Sequence, residues 1–512
     1  MNGFPWLTIL LWAPLLGGVI VALLPRRATP SAPKQIALGF SLLILAYSIV
    51  IAVRFQAAGG MQLREQYDWI SAFGAHYALG VDGLGLSLVM LTTILTPVVL
   101  LASWHDADSG GGKPASFFAW LLVLECLCIG CFTANDLFLF YVLFEAVLLP
   151  VYFLIGGFGG PRRAAASMKF LIYSLTGGLI MLAAVIGVYV ESAKVSGHPT
   201  YLVSELARMH IGGTAGKLIF CGLFFAFAVK APLFPVHTWL PDACENGTAG
   251  TNTMLVSVMD KIGSFAMIRF CLELFPDASK WATPLVVVLA IISILYGALM
   301  AIGSKDIFRL IAYTSVSHFG FIVLGIFVMN SQGLSGANLY MFAHGLSTAA
   351  AFLVAGFMKS RRGSALVQDF GGVDKVAPVL AGTFLVANLS LLSLPGLSPF
   401  VSELLVIVGA WVHSAWAAGF AVVGIVLAAA YALILYQRTM TGPVVHPQVE
   451  KMRDLNLREV VSLVPVILLL VVLGFYPQPL LKVLNPSVQH TMSQVGKTDP
   501  PPSVAGAKGS QQ

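Results

Sequence analysis

The sequence predicts an all-α polytopic membrane protein of about 14 transmembrane helices, arranged as two inverted five-helix repeats with broken helices 7 and 12. Three observations carry this prediction. Hydrophobic residues make up 58% of the 512 residues and charged residues only 10%, whereas about 25% of the residues of a soluble domain are charged. Apolar windows of about 20 residues, the length that spans a bilayer, recur along the chain. Paired prolines interrupt two of these windows.

The apolar windows also divide the chain into regions. They lie at residues 6–25, 35–54, 84–104, 115–134, 137–157, 168–190, 217–239, 250–275, 283–302, 307–329, 337–358, 377–410, 414–437 and 458–477. Spans four to eight and nine to thirteen form two five-helix blocks, and because five is odd, the second block is inverted relative to the first. We therefore assign 1–113 to helices one to three, 114–275 to the first repeat, 282–437 to the second, inverted repeat and 438–485 to helix fourteen. Residues 486–512 are rich in Pro, Ser, Gly and Gln and are predicted to be a disordered tail.

The basic residues predict the orientation of the helices. Loops after odd-numbered spans hold 17 Lys and Arg, whereas the other face, including both tails, holds nine. Because cytoplasmic loops carry the excess of basic residues in membrane proteins, we expect the odd-span loops in the cytoplasm and both termini on the outer side. The net charge of +6 then reflects loops beside the lipid bilayer and does not indicate nucleic-acid binding.

The two interrupted windows are the stretches around which the rest of the chain is organised. They read FAVKAPLFPVHTWLPDAC (Phe227–Cys244) and LPGLSPFVSELLVIVGA (Leu394–Ala410). Proline removes a backbone donor and clashes with the preceding turn, so both helices are predicted to be broken. In a bilayer, free backbone groups are tolerated where they are buried in protein or line a hydrated cavity, so a matched pair of breaks beside charged residues favours an ion pathway over two ordinary kinks.

Ionisable residues also lie within the windows, at a cost of about 2.5 to 3.5 kcal/mol each. Six of them, on spans five, seven, eight, ten, eleven and twelve, are candidate proton-relay residues: Glu145, Lys230, Lys261, His318, His344 and Glu403. Burial destabilises the charged form of a lysine and a nearby carboxylate restores it, so a moving partner would switch its protonation. Imidazoles titrate near neutrality and have two ring nitrogens, which suits them to pass protons onward.

Structural roles compete with this interpretation. Glu145 and Lys230 form either a proton-transferring pair or a static salt bridge that fixes helix packing. A histidine alone is more typical as a hydrogen-bond partner between helices. For two further acids within the spans, Glu125 and Asp260, we favour structural roles. Glu125 would bond to a neighbouring helix, and Asp260 would either neutralise Lys261 or face a different side of span eight.

The cysteines and the motif content argue against a cofactor in this chain. Cys126, Cys128 and Cys131 resemble a ligand cluster, but in a spanning helix such residues are typical of packing. The sequence has no Gly-rich phosphate loop with its lysine, no GxGxxG after a strand and no paired metal-ligand motif. We therefore predict neither a cofactor-binding site nor a metal site.

Five stretches together resemble a known family. They are NDLFLFYVLFEAVLLPVYFLIGGFGG (Asn135–Gly160), VKAPLFPVHTWLPDA (Val229–Ala243), KDIFRLIAYTSVSHFGF (Lys305–Phe321), AHGLSTAAAFLVAG (Ala343–Gly356) and LPGLSPFVSE (Leu394–Glu403). From about residue 84 to residue 437, the chain resembles the antiporter-like subunits of respiratory complex I and of multisubunit sodium/proton antiporters. The resemblance implies a proton-translocating subunit of NADH-quinone oxidoreductase in the inner (plasma) membrane, coupled to quinone reduction elsewhere in the complex. It also implies that quinone, NADH, FMN and iron-sulfur clusters belong to partner subunits, and that the partners are other membrane-arm subunits, especially the two other antiporter-like ones.

The resemblance assigns the family's functional positions to the same six residues. Protons are then expected to enter from the cytoplasmic side toward Lys230 or Lys261, to cross by His318 and His344, and to leave from Glu403. Glutamate at this last position is typical of one type of subunit in the family, whereas the other types have lysine there.

The sequence departs from the family pattern at two places. After Pro241 and Asp242, the family commonly has histidine and a Glu-Ala-Pro run, where this chain reads Cys244, Glu245, Asn246, Gly247. Asp260 also replaces the usual apolar residue before Lys261. Two other functions remain open, namely a subunit of a sodium/proton antiporter or membrane-bound hydrogenase, and a scaffold whose charges are packing pairs.

Overall fold

The computed structural model describes residues 4–25, 29–57, 60–108 and 113–499. The chain begins with α1 (Trp6–Ala22) and α2 (Ala32–Arg54), followed by a hairpin of β1 (Gln62–Ile70) and β2 (Ala75–Val81) and then by α3 (Gly83–Ala102). The antiparallel hairpin was not predicted. Its Glu65 carboxylate accepts hydrogen bonds from the backbone amides of Leu7 (2.6 Å) and Thr8 (3.1 Å), which satisfies amides that the first turn of α1 leaves free.

The predicted first repeat contains nine helical pieces. They are α4 (Pro114–Thr133), α5 (Leu137–Ala146), α6 (Leu148–Phe158), α7 (Arg163–Ser196), α8 (Val203–Met209), α9 (Gly213–Lys230), α10 (Trp239–Asn246), α11 (Ala249–Met254) and α12 (Lys261–Ala266). Two π-helical stretches, Leu255–Met259 and Met267–Leu272, flank α12. Span eight is therefore wound irregularly, which its continuous apolar window did not indicate.

The remainder of the chain forms the second repeat and the C-terminal helices. They are α13 (Pro276–Gly303), α14 (Ile307–Phe327), α15 (Ser331–Arg362), α16 (Pro378–Leu391), α17 (Ser398–His413), α18 (Ala415–Met440), α19 (Pro447–Glu450), α20 (Leu457–Phe475) and α21 (Gln478–Val495). Short 3₁₀ turns lie at Val367–Asp369 and Val373–Lys375. The apolar window of α14 is completely buried and that of α15 is 94% buried, so these two helices form the centre of the molecule.

Both proline-containing windows are broken, as predicted. The first helix ends at Lys230 and resumes at Trp239, and the second ends at Leu391 and resumes at Ser398. At the first break, the indole nitrogen of Trp239 donates to the carbonyl of Val229 at 2.9 Å. The breaks are thus stabilised by side chains that satisfy the backbone groups that the interrupted helices leave free.

The helices confirm the fold class. Among the described residues, 11 helices are long and apolar enough to cross a membrane, and α1, α16 and α17 are shorter apolar helices. The total of fourteen spans and the inverted repeats stay predictions.

The predicted disordered tail is wrong for its first part. α21 continues through Val495, and the rest of the predicted tail beyond residue 499 lies outside the described residues. Leu484, Val488, Met492 and Val495 recur at a helical spacing and are buried. The polar composition of the tail gave no sign of this apolar stripe. Packing of the stripe against the bundle stabilises the helix and offsets the entropy lost when it becomes ordered.

Candidate proton path

Four of the predicted relay residues lie in one connected cluster at the centre of the molecule. Lys261 follows the first π-helical stretch, His318 and His344 belong to α14 and α15, and Glu403 belongs to α17. All four are at most 4% exposed. The structure thus brings four of the six predicted residues together and shows which of their atoms meet, whereas their role in proton transfer stays a prediction.

The π-helical turn before Lys261 creates an acceptor for its ammonium group. In an α-helix the carbonyl of Val256 would accept from the amide of Asp260, but this amide donates to the carbonyl of Leu255 at 3.0 Å. The Val256 carbonyl instead accepts from Lys261 Nζ at 2.6 Å. The irregular winding thus holds the lysine head group by backbone, as π-bulges often do at functional sites.

Lys261 is joined directly to the first histidine. Its Nζ atom lies 2.6 Å from Nδ1 of His344, a distance at which an ammonium donates to an imidazole lone pair. Nζ also lies 4.9 Å from the ring centroid of Phe319, so an aromatic face covers another side of the charge. Lys261 and His344 therefore form a pair between which a proton can move without rearrangement of the helices.

The two histidines face each other edge to face, with ring centroids 5.1 Å apart. Nε2 of His344 and Nδ1 of His318 have no hydrogen-bond partner among the described residues. The nitrogen of each ring that is not bonded to protein is thus available to the other histidine. A bridging water between these two nitrogens would complete the connection.

His318 is oriented by the second helix break. Its Nε2 atom lies 2.9 Å from the carbonyl of Leu391, the last residue of α16, and 3.1 Å from the hydroxyl of Tyr431. Because a carbonyl only accepts, Nε2 carries the hydrogen and Nδ1 of the neutral ring is the acceptor. The break therefore fixes the tautomer that can receive a proton from His344.

Glu403 ends the cluster beside the same break. Its Oε2 atom accepts from the hydroxyl of Tyr340 at 3.0 Å and from the hydroxyl of Ser393. The rings of Tyr340 and His318 are 5.8 Å apart, so this tyrosine contacts both ends of the gap between histidine and carboxylate. Sequence reasoning missed the two hydroxyls, although Tyr340 lies four residues before His344 and thus on the same helix face.

The other two predicted residues, Glu145 and Lys230, form a looser pair. They interact electrostatically across α5 and α9, and Lys230 Nζ lies 4.9 Å from the ring centroid of Phe144. Within the described chain, Lys230 Nζ has no hydrogen-bond partner. The pair is therefore held by charge and aromatic contact and not by a direct hydrogen bond.

Glu145 lies at an interruption of span five. α5 ends at Ala146 and α6 begins at Leu148. Pro150 explains the interruption, because it cannot donate to the Ala146 carbonyl and its ring clashes with it. The carboxylate also fits tightly against α7, since a Cβ atom built at Gly178 would lie only 1.8 Å from Glu145 Oε1.

An ion-pair cluster covers one end of α7, α10 and α14, where the sequence departs from the family pattern. Arg309 Nη1 donates to Asp242 at 2.6 Å and to Glu245 at 2.8 Å. Lys169 donates to Asp242 at 2.6 Å, and Arg162 donates to Glu245. Glu245 thus binds two arginines in the stretch that differs from the family.

Glu125 and the clustered cysteines are not among the predicted relay residues, although Cys128 and Cys131 interact electrostatically with Lys230. Glu125 is fully buried in α4, beside Thr96 of α3. Cys126, Cys128 and Cys131 are buried and unpaired. The described residues contain no group of three or more His, Cys, Asp or Glu placed to hold a metal ion.

Comparisons with known proteins find the same family along nearly the whole chain. A family model described as NADH:quinone oxidoreductase/Mrp antiporter, TM matches residues 134–428. NADH-quinone oxidoreductase subunit M of Mycobacterium tuberculosis is 49% identical over 539 aligned residues, which cover 99% of this chain and 97% of the relative.

Two solved structures resemble the fold. A chain of respiratory complex I from Thermus thermophilus with bound NADH matches with a TM-score of 0.86 and 30% identity, over 96% of this chain and 100% of that chain. A chain of the Mrp complex from Dietzia sp. DQ12-45-1b matches with a TM-score of 0.82 over 96% of this chain and 98% of that chain. At 23% identity, this second match is a likeness of fold alone.

Proposed function

The chain belongs to the family of antiporter-like NADH-quinone oxidoreductase subunits of the M type, and from this premise we propose which of its residues move the proton. It is a proton-translocating membrane subunit of such a complex. The proposed path runs from Glu145 and Lys230 through Lys261, His344 and His318 to Glu403. The observation that carries the proposal is the 2.6 Å contact between Lys261 and His344, which opens onto the second histidine and the broken helix.

The first half of the path works as a switch. With Glu145 beside it, Lys230 holds a proton because the carboxylate stabilises the ammonium in a medium of low dielectric constant. When Glu145 moves away at the interruption before α6, the ammonium loses this stabilisation and gives up its proton. A neighbouring subunit that displaces α5 would therefore trigger release.

The second half conducts the proton along hydrogen-bonding atoms. Lys261 gives a proton to Nδ1 of His344, whose Nε2 then passes one to Nδ1 of His318. The proton on Nε2 of His318 leaves through the hydroxyl of Tyr431 or Tyr340 toward Glu403. At each step one nitrogen or oxygen loses a proton and the next gains it, so net charge moves through the bilayer without any chemical change in the chain.

The surroundings of the subunit follow from the same proposal. Protons leave the cytoplasm, both termini lie on the outer side of the inner (plasma) membrane, and the partners are the two other antiporter-like subunits of the membrane arm. Redox centres belong to partner subunits. The excess of Lys and Arg in the loops after odd-numbered spans supports this orientation.

The test replaces Glu145 or Lys230 by alanine in the assembled complex, reconstituted in proteoliposomes. We expect both variants to assemble and to oxidise NADH, but to pump fewer protons per electron than the wild type. Lys194→Ala is the matched control, because Lys194 is exposed and pairs with Glu191 outside the path. Wild-type proton-to-electron ratios in both path variants would refute the proposal.

The scaffold alternative makes a different prediction. If Glu145 and Lys230 were a packing pair, Glu145→Asp would keep the charge and thus most of the pumping. The proposed switch depends on the distance between the Glu145 carboxylate and Lys230, and aspartate is one methylene group shorter than glutamate. We therefore expect Glu145→Asp to lower the proton-to-electron ratio as well.

A further inference from the structure

One buried acid next to the proposed path has no role in it. Asp260 lies between the first π-helical stretch and α12, directly before Lys261. Its side chain is 0% exposed, and neither carboxylate oxygen has a hydrogen-bond partner in the described part of the chain. A buried carboxylate without a partner costs several kcal/mol, so its presence calls for a reason.

Asp260 and Lys261 interact electrostatically but form no hydrogen bond. The ammonium of Lys261 is directed toward the carbonyl of Val256 and Nδ1 of His344, and Asp260 forms no hydrogen bond with it. The expectation that Asp260 neutralises Lys261 stays a prediction, supported by the electrostatic interaction of the two side chains. The Asp260 carboxylate is therefore free of hydrogen bonds to either lysine among the described residues.

Asp260 faces the first lysine as well as the second. α12 and α9 are in backbone contact, because a Cβ atom built at Gly263 would lie 2.6 Å from both the amide nitrogen of Ala231 and the carbonyl oxygen of Phe227. Gly263 is one helical turn from Asp260, and Ala231 follows Lys230 directly, so the acid and Lys230 lie along the same seam. The carboxylate interacts electrostatically with both Lys230 and Lys261.

The seam between α9 and α12 lies where the proposed path passes from Lys230 to Lys261. Lys261 is hydrogen-bonded to His344, whose ring packs edge to face on His318, whereas Lys230 Nζ has no hydrogen-bond partner among the described residues. Asp260 is a buried acid that interacts with both lysines. We propose that Asp260 is an additional relay residue, which carries the proton from Lys230 to Lys261 and so joins the two halves of the path. This inference rests on the proposed function.

The transfer balances in two steps. Lys230 ammonium gives a proton to the Asp260 carboxylate, which leaves a neutral amine and a carboxylic acid. The acid then gives its proton to the neutral amine of Lys261, and the carboxylate is restored. The thiol of Cys244 also interacts electrostatically with Asp260, and Cys244 stands where the family commonly has histidine. The two departures from the family pattern are thus neighbours, which is the arrangement expected if an acid on span eight serves where the histidine is missing.

The experiment measures proton pumping and NADH oxidation by the assembled complex in proteoliposomes. Asp260→Asn keeps the shape and removes the proton-binding site, and we expect coupled pumping to fall at least about tenfold, within the factor of about 10² to 10⁴ that a positioned proton carrier contributes. Asp260→Glu should restore much of the loss and shift the pH profile of pumping. A purely structural role would show neither rescue nor shift. Glu125→Gln, which neutralises another fully buried acid outside the path, is the matched control and should pump like the wild type.

The outcomes separate this inference from the proposed function. If Asp260→Asn pumps normally while Lys230→Ala does not, the inference is overturned and the proposed path stands. If both variants pump normally, the proposed path fails too. If Asp260→Asn does not assemble, infrared difference spectra of wild type and Asp260→Glu during NADH oxidation decide, because a relay acid gives a carboxylic C=O band that moves in the glutamate variant. Absence of such a band overturns the inference.

Discussion

Gly178 offers a way to disturb the proposed switch without touching either charged residue. A methyl group at this position would lie 1.8 Å from Glu145 Oε1, whereas ordinary contact begins at 3.4 Å. The carboxylate must therefore retreat by about 1.6 Å, the difference between these two distances, which a flexible side chain can do by a change of rotamer. The backbone is helical at Gly178, so alanine itself is well tolerated there.

The expected effect of Gly178→Ala follows from Coulomb's law. For opposite unit charges about 4 to 6 Å apart, the range over which a neighbouring charge stabilises an ion, and at an effective dielectric constant of about 20, a retreat of about 1.6 Å weakens the attraction by roughly 0.8 kcal/mol. This corresponds to a factor of about four in the equilibrium between the protonated and neutral lysine. We therefore expect the variant to assemble normally and to pump protons several-fold less efficiently for each NADH oxidised.

The assay compares the rate of acidification in proteoliposomes with the rate of NADH oxidation in the same preparation. Gly157→Ala is the control, because a Cβ atom at Gly157 has no neighbour within 4 Å and should leave the ratio unchanged. If Gly178→Ala pumps as many protons per NADH oxidised as the wild type, the position of Glu145 against α7 does not determine the protonation of Lys230.

Two further predictions concern the second half of the path, and a third concerns the buried ion pair between Arg269 of the second π-helical stretch and Asp82 before α3. Lys261→Arg should abolish coupled pumping in the same assay, because arginine stays charged at all relevant pH values and cannot give its proton to His344. Tyr340→Phe removes one hydroxyl at the exit carboxylate, and we expect pumping to fall by about tenfold or less, with normal assembly on native gels, because a second route through Tyr431 remains. Arg269→Met should impair assembly, since it leaves Asp82 without its buried cation, a loss of about 3 to 5 kcal/mol that thermal denaturation of the complex would detect.

Each of these predictions has a contradicting result. Retained pumping in Lys261→Arg would show that protons bypass His344. Complete loss in Tyr340→Phe would show that the route through Tyr431 does not conduct. Wild-type thermal stability in Arg269→Met would show that the ion pair of 2.7 Å between Arg269 and Asp82 contributes little to the fold.

The sequence was sufficient to predict the elements that follow from local chemistry. Prolines determine where a helix must break, so both breaks could be located from the residues around Lys230 and Glu403. The cost of burying charge identified His318 and His344 as exceptional before any contact was known. The fold class followed for the same reason, since only helices satisfy their own backbone over a long apolar window.

The features that sequence reasoning missed depend on contacts between distant segments. The π-helical turns beside Lys261 contain no proline or glycine pair that would indicate them. The Leu391 carbonyl becomes a partner of His318 only because α16 ends against α14. The buried stripe of α21 could not be recognised without the surface of the bundle against which it packs. Chain order suggested only Lys261 as a partner of Asp260, whereas the packing of α12 on α9 also brings Asp260 near Lys230.

The two lysines differ in their contacts, and this difference bears on where proton flow through the subunit is controlled. The ammonium group of Lys261 is hydrogen-bonded to the carbonyl of Val256 and to His344. The ammonium group of Lys230 instead lies near the rings of Phe144 and Phe170. On the proposed mechanism, the segment from Lys261 onward can conduct protons at all times, whereas the segment of Glu145 and Lys230 is the part that switches. On the same mechanism, we expect proton flow to be controlled beside Pro150, where displacement of α5 by a neighbouring subunit would separate Glu145 from Lys230.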